Sequence, residues 1–315
     1  ARPCLPFCRA VALPRAPALS AFSSATFADE VSGPVAKLRS GVVSQPPSID
    51  EIEGLTEFDI ESIVVPGGIP EQLTVPVPIG GEVLPLTLER RSFRSPDARL
   101  LVDRGAGLVE EELPPHRTYR GRVAGLEDTT VVASVLDGTL WATIDFGGDL
   151  PLWVVQPLTS FDDVAGRAGV GDTRHVIYRE DHAFSEDAIC GNDLFDLAAP
   201  EIDPRDIAPE GGVAGGTIYY AQIAFDADFE FFQDNGSSVD ATVNDIELVY
   251  NLVNNIYSRD ANIEFEFTTF VVRASSAEPY TSTTADGRIC QFRAEWNPGE
   301  RVSIERDVAP LFSGR

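Results

Sequence analysis

The side chains able to do chemistry in this chain are few and widely spaced. It holds three histidines, His116, His175 and His182. None lies three or four residues from another, so no helical turn can present two imidazoles to one metal ion. A hydrolytic zinc site needs about three protein ligands and an open position for water. These histidines do not supply one, and they read as surface or packing residues. Cys190, followed by Gly191, and Cys290 offer thiols outside the N-terminal stretch that carries Cys4 and Cys8. A disulfide between Cys190 and Cys290, or to another cysteine, is one reading of them. Asp226 and Asp228 stand two apart in a β-prone run and so share a face. Such a pair suits acid–base chemistry or calcium, or it caps the solvent-facing end of a strand. Asn235-Gly236-Ser237 matches a glycosylation sequon and equally reads as a turn before a helix. No phosphate-binding loop ending in Lys-Ser/Thr and no Gly-x-Ser-x-Gly elbow occurs.

Two kinds of scaffold must position these groups. Within residues 82–157 short β-prone runs recur at 83–88, 100–102, 118–123, 131–136, 140–144 and 152–155. Asp137-Gly138 between two apolar runs is a strong hairpin signal, and Gly147-Gly148 marks the next reversal, so an antiparallel meander is predicted. Downstream, residues 218–227 are almost continuously apolar, as a strand covered on both faces would be. Ser237-Ser238-Val239-Asp240 offers a helix cap. Val239, Val243, Ile246, Val249, Tyr250, Val253, Ile256 and Tyr257 then form an apolar stripe at helical spacing. A second strand spans 263–272, which predicts a β-α-β unit. A short helix at 288–296 is stopped by Asn297-Pro298-Gly299.

Composition sets the limits. The 315 residues suffice for about two domains with a sizeable core. Hydrophobic residues make up 43%, which excludes a wholly disordered chain. A formal net charge of −26 repels phosphate backbones, so no nucleic-acid partner is expected. No apolar run approaches the roughly 20 residues of a membrane span. Residues 1–28 carry Arg2, Arg9 and Arg15 without an acid and read as a leader or signal remnant. The expected division is 1–28 leader remnant, 29–80 extended lead-in, 81–183 β-rich domain, 184–216 acidic linker and 217–315 β-α-β block. The linker, rich in Pro and Gly with Arg205 as its one basic residue, should be extended and open to proteolysis.

The 217–315 block resembles the N-terminal half of a metzincin zinc endopeptidase catalytic domain of the adamalysin/reprolysin type, most like its bacterial secreted members. The resemblance rests on the strand Thr217-Ile-Tyr-Tyr-Ala-Gln-Ile-Ala-Phe-Asp-Ala-Asp228 and on Arg306-Asp-Val-Ala-Pro-Leu-Phe-Ser-Gly-Arg315, against family patterns of the form Glu-Leu-Ala-Ile-Asp-Ala-Asp-Tyr-Glu-Phe-Tyr and Arg-Asp-Val-Ala-His-Leu-Phe-Thr-Gly. Pro310 stands where the family usually has His. More loosely, Arg117-Thr-Tyr-Arg-Gly121 and the segment from His175 to Asp181 are similar to that family's propeptide. The resemblance implies a mixed α+β fold: a β-rich antiparallel propeptide domain, then a truncated α/β metzincin domain with a β-α-β start. It also implies a secreted, extracellular zinc metalloendopeptidase precursor acting on protein or peptide substrates, with propeptide and catalytic domain in intramolecular contact.

Zinc would be held by a motif following Arg315, so the chain as given is expected to be inactive, with no catalytic or metal residue of its own. The resemblance further implies that Cys190 could be the latency ligand of that zinc; the disulfide remains its alternative. The family's calcium-site Glu aligns with Gln222, whose neutral side chain weakens a calcium expectation. The other readings are a non-enzymatic exported β-rich binding or inhibitory module and a pseudo-protease.

Overall fold

The computed structural model describes residues 49, 51–166, 171–184, 218–297 and 303–314. Its strands are β1 (Asp59–Ser62), β2 (Gln72–Ile79), β3 (Glu82–Arg90), β4 (Arg94–Asp103), β5 (Leu108–Glu111), β6 (Thr118–Val123), β7 (Thr130–Leu136), β8 (Thr139–Asp145), β9 (Trp153–Pro157), β10 (Arg174–Arg179), β11 (Tyr219–Ala227), β12 (Ile263–Arg273) and β13 (Leu311–Phe312). The helices are α1 (Asp162–Ala165), α2 (Phe229–Asp234), α3 (Val239–Ala261) and α4 (Ala285–Trp296). No helix among the described residues is long and apolar enough to cross a membrane.

Eight strands form a curled antiparallel sheet in the order β1-β10-β9-β8-β7-β6-β3-β2. Alternation drives it. In β2, Leu73, Val75, Val77 and Ile79 point inward while Gln72, Thr74 and Pro76 stay exposed. The sheet curls until Val75 and Val77 share one core with Leu86, Leu140, Ile144 and Ile177. Each such side chain contributes about 1.5–3 kcal/mol by leaving water. Asp137 (φ 51°) and Gly138 (φ 77°) make the expected β7–β8 turn, both in the left-handed region that a two-residue hairpin loop requires. Residues 59–79, expected only as extended lead-in, supply the two edge strands β1 and β2.

The β-α-β unit is present as β11, α3 and β12, with β11 and β12 parallel. Ser238 rather than Ser237 caps α3, its Oγ accepting from the Ala241 N–H at 3.3 Å. At the other end Asn262 takes a left-handed conformation (φ 53°) and closes the helix. The unit does not stand as a separate domain. Its sheet runs β13-β11-β12-β4-β5, so two strands from the upstream half complete it. Thr269 to Arg273 of β12 pair in parallel with Arg99 to Asp103 of β4.

The expected mixed α+β architecture, a β-rich domain followed by an α/β metzincin domain, is therefore corrected. Strand makes up 41% and helix 23%, the described helices number four, and the chain is a largely β protein. The physical reason lies in β12. Its outer backbone edge needs hydrogen-bond partners, and β4 meets that need across more than 160 residues of sequence, a pairing with no local signal.

Helix α3 is consequently buried on two sides. Val243 and Ile246 pack on the parallel sheet with Phe225 and Phe267. The opposite face meets the outer surface of the curled sheet, where Asn251 Nδ2 donates to the Ala133 carbonyl at 2.8 Å and the Asn251 carbonyl accepts from Arg120 at 2.5 Å. Where β4 no longer accompanies β12, the Asn254 side chain takes its place. Asn254 Oδ1 accepts from Phe265 N–H at 2.9 Å and Nδ2 donates to Phe265 O at 3.1 Å. Ion pairs cross the same seam. Arg94 grips Glu247 through two bonds of 2.6 and 2.8 Å, Arg91 pairs with Glu264, and Arg259 reaches Asp145 at 3.1 Å. Arg91 and Arg120 also stack on Phe93, at 5.0 and 5.2 Å from its ring. Burial, with Arg91 alongside, brings the Arg120 guanidinium down to about 9.

Glu247 is 2% exposed, so deleting its partner leaves a buried charge. Arg94→Ala should cost about 3–5 kcal/mol in urea unfolding. Burial already raises the Glu247 pKa against the opposing pull of Arg94. The loss should therefore be smaller at pH 5, where Glu247 can take up a proton, than at pH 8.

Candidate functional site

The chemistry-bearing residues gather where β4, β11 and β12 end, the position at which parallel sheets usually present a crevice. Here that position is filled. Asp226, wholly buried, receives Arg273 Nε at 3.0 Å and Arg273 Nη2 at 2.7 Å. Its Oδ2 also accepts from the Tyr280 hydroxyl at 2.5 Å and the Trp296 indole N–H at 2.8 Å. Asp103, at the end of β4, lies 3.6 Å from Arg273, and Glu295 lies 3.4 Å away. Burial opposes the Arg273 charge, but Asp226, Tyr280 and Glu295 together hold its pKa above the ordinary value. Burial first, then the Asp226 charge, push the Tyr280 hydroxyl far up, so it stays a donor.

Asp228 does separate work. It caps α2, its Oδ1 accepting from the Phe231 N–H at 2.8 Å and the Gly314 N–H at 3.1 Å, and its Oδ2 pairs with Arg288. Arg288 also pairs with Ser313 Oγ and donates to the Ser282 carbonyl at 2.9 Å. Asp226 and Asp228 are thus neither a solvent-facing strand end nor a free acid–base pair. Each is buried and balanced by its own arginine. Sequence reasoning missed those partners. The available signal was an arginine closing the apolar run Phe270-Val271-Val272-Arg273 in an acidic chain.

One carboxylate cluster lies among the same groups. Asp228, Glu230 and Glu278 can bring one oxygen each within 4.8 Å of one another. The trio contains no His or Cys, and Arg288 lies among it, paired with Asp228 and 3.6 Å from Glu230. This donor set does not fit zinc, and the internal guanidinium disfavours calcium. Gln222 ties down a loop through its backbone: its N–H donates to Asp307 Oδ2 at 2.8 Å, and its carbonyl accepts from the Asp307 and Val308 N–H groups at 2.8 and 3.1 Å.

The histidines lie apart from this cluster. His175 is fully buried in β10, with both ring nitrogens on backbone groups. His182 lies 3.7 Å from Glu57. His116 precedes β6, its pKa lowered by burial and by Arg90 and Arg94. Among the described residues, no cluster of metal-ligating side chains includes a histidine. Cys290 is exposed on α4, and Cys190, the expected latch or disulfide partner, lies outside the described residues.

A cleft of about 300 Å³ opens between the curled sheet and α3, lined among others by Trp141, Val154, Gln156, Tyr178, Leu248 and Asn251. No protein-family model and no curated protein sequence matches the chain.

Glu278 provides a pH test of the filled crevice. Its carboxylate accepts from the Phe229 N–H at 2.8 Å, and burial, reinforced by Asp228, pushes its pKa up to about 7 from 4.5. A raised carboxylate stabilises the fold fully below its unfolded value, and that contribution is lost as pH rises through 7. Carboxyl carbon NMR should show Glu278 titrating near 7, and Glu278→Gln should remove that portion of the stability loss between pH 5 and 8. A midpoint near 4.5 would contradict the burial.

Proposed function

We propose that this chain is the N-terminal portion of a secreted zinc metalloendopeptidase precursor acting on protein or peptide substrates. Residues 51–184 would serve as its propeptide and the 218–314 block as the opening of its enzyme core. The observation carrying this reading is the shared sheet. The block that bears the protease-like sequence has its β12 edge completed by β4 and β5 and its helix α3 clasped by β6 and β7. A segment that must hold an enzyme core before activation needs that relation to it. The two protease-like motifs support the reading by their positions. Phe225 and Phe312, one from each, pack together at 6.2 Å, and Asp226 pairs with Leu311 across β11 and β13.

Zinc would supply the hydrolytic chemistry of such an enzyme. The described residues do not fit it, so no hydrolytic step is assigned to them. Their part is scaffold and restraint. The competing reading is an exported binding or inhibitory module that uses the curled sheet, for which the cleft against α3 is the supporting observation.

Metal analysis and a casein digestion assay on the native protein from its source separate the two. Stoichiometric zinc with caseinolytic activity is the expected result. A zinc-free protein without activity would overturn the protease reading and leave the binding module.

A further inference from the structure

We propose that His175 is an acid-sensitive clasp: taking up a proton, it releases the β7–β8 hairpin and loosens the grip of the curled sheet on α3. The inference stands whether or not the chain belongs to a protease. The sheet has a gap where β8 meets β9. The β8–β9 pairing runs from Ile144↔Trp153 to Ala142↔Val155, and the same register sets Leu140 opposite Pro157. Proline has no N–H to give the ladder, and the Pro157 carbonyl accepts from Ser160 Oγ at 2.7 Å. His175, paired with Pro157 across β9 and β10, fills the gap from the far side. Its Nε2 accepts the Leu140 N–H at 3.0 Å.

The other ring nitrogen fixes the tautomer. Nδ1 lies 2.8 Å from the Thr173 carbonyl oxygen, which only accepts, so Nδ1 carries the proton. Nε2 must then be bare, since it accepts from Leu140. A second proton can enter only at Nε2, where it would face the Leu140 N–H. Imidazolium has two donors and no acceptor, so protonation and the Leu140 bond exclude each other.

The surroundings do not rescue the charge. Asp172 is held by Arg174 at 2.6 Å. Glu61, opposite His175 on β1, and Asp137, in the β7–β8 turn, are exposed. From β9 the residue opposite is Pro157, and from β8 the group is the Leu140 amide. Burial accordingly lowers the His175 pKa below 6.5, against smaller opposing effects of Thr173 and Asp172. A depressed histidine contributes stability above its unfolded pKa and loses it as pH falls below about 6.5, about tenfold in the folding equilibrium per pH unit.

The hairpin that Leu140 anchors is the one that holds α3. Ala133 O and Ser134 Oγ receive Asn251 Nδ2 at 2.8 and 3.4 Å, and Asp145 receives Arg259 at 3.1 Å. Loss of the anchor thus reaches the seam between the two halves.

The test is performed on the full chain. Ring nitrogen NMR between pH 7.5 and 5 should show His175 as the Nδ1–H tautomer, still neutral well below 6.5. Amide exchange at Leu140, corrected for its intrinsic pH dependence, should lose about tenfold protection per pH unit below 6.5, and α3 should follow. His175→Gln, which keeps one donor and one acceptor but does not titrate, should keep its protection flat over that range. The proposal fails if the ring titrates at 6.5 with Leu140 protection unchanged, or if the Gln variant shows the same acid loss. Should that variant not fold, the wild-type ring titration decides alone. No protease readout enters, so failure here is distinct from failure of the functional reading.

Discussion

The parallel pairing of β4 with β12 is the constraint on which the rest of the molecule depends. Without it, β12 would present an open row of N–H and C=O groups, costly to leave unpaired and prone to bind other chains. With it, Asp103 is carried to the end of the parallel sheet beside Arg273, and Arg94 to the buried face of α3 beside Glu247. Helix α3 then has to sit between two sheets. That explains why its buried residues include Glu247, Asn251 and Asn254 as well as Val243 and Ile246.

Charge is distributed in a way that serves this packing. The chain is strongly acidic, with a net charge of −26, yet arginines stand at its interior junctions. Arg273 and Asp226, both essentially inaccessible, lock the ends of β11 and β12 to Tyr280 and Trp296. Arg288 ties α4 to the cap of α2. Buried pairs of this kind add little net stability over well-packed apolar groups, but losing one member costs several kcal/mol, about 3–5 by general experience. Their geometric consequence is direct: Arg273 joins the ends of β4, β11 and β12, and Arg288 joins α4 to the start of α2.

Local signals in the sequence carried the hairpin at Asp137-Gly138, the two β11-like and β12-like runs and helix α3. Each depends on neighbours within a few residues. The sharing of one sheet by the two halves of the chain was not recoverable in that way. An acidic, Pro/Gly-rich linker suggested a boundary, whereas the strand that completes the downstream sheet lies far upstream, and pairing of that reach leaves no periodic trace. The apolar stripe of α3 was legible; its buried polar residues were not, because Asn251 and Asn254 look like solvent-facing residues until a backbone is placed against each, Ala133 of the curled sheet and Phe265 of β12. At the crevice, Asp226 and Asp228 stood out from the sequence, but their roles are set by Arg273 and Arg288, 47 and 60 residues away. The absence of metal-ligand spacing among the histidines is legible in the sequence alone.

The central claim, that the upstream strands and the downstream block form one cooperative body, is most directly tested by equilibrium unfolding followed at separate tryptophans. Trp141 and Trp153 report on the curled sheet, and Trp296, 2% exposed, reports on the parallel one. Urea transitions should be recorded for the wild type, for a Trp141→Phe/Trp153→Phe variant and for a Trp296→Phe variant. After correction for each variant's own midpoint shift by circular dichroism, the account predicts coincident transitions with one slope. Separate transitions, with Trp296 unfolding while the curled sheet persists or the reverse, would contradict it.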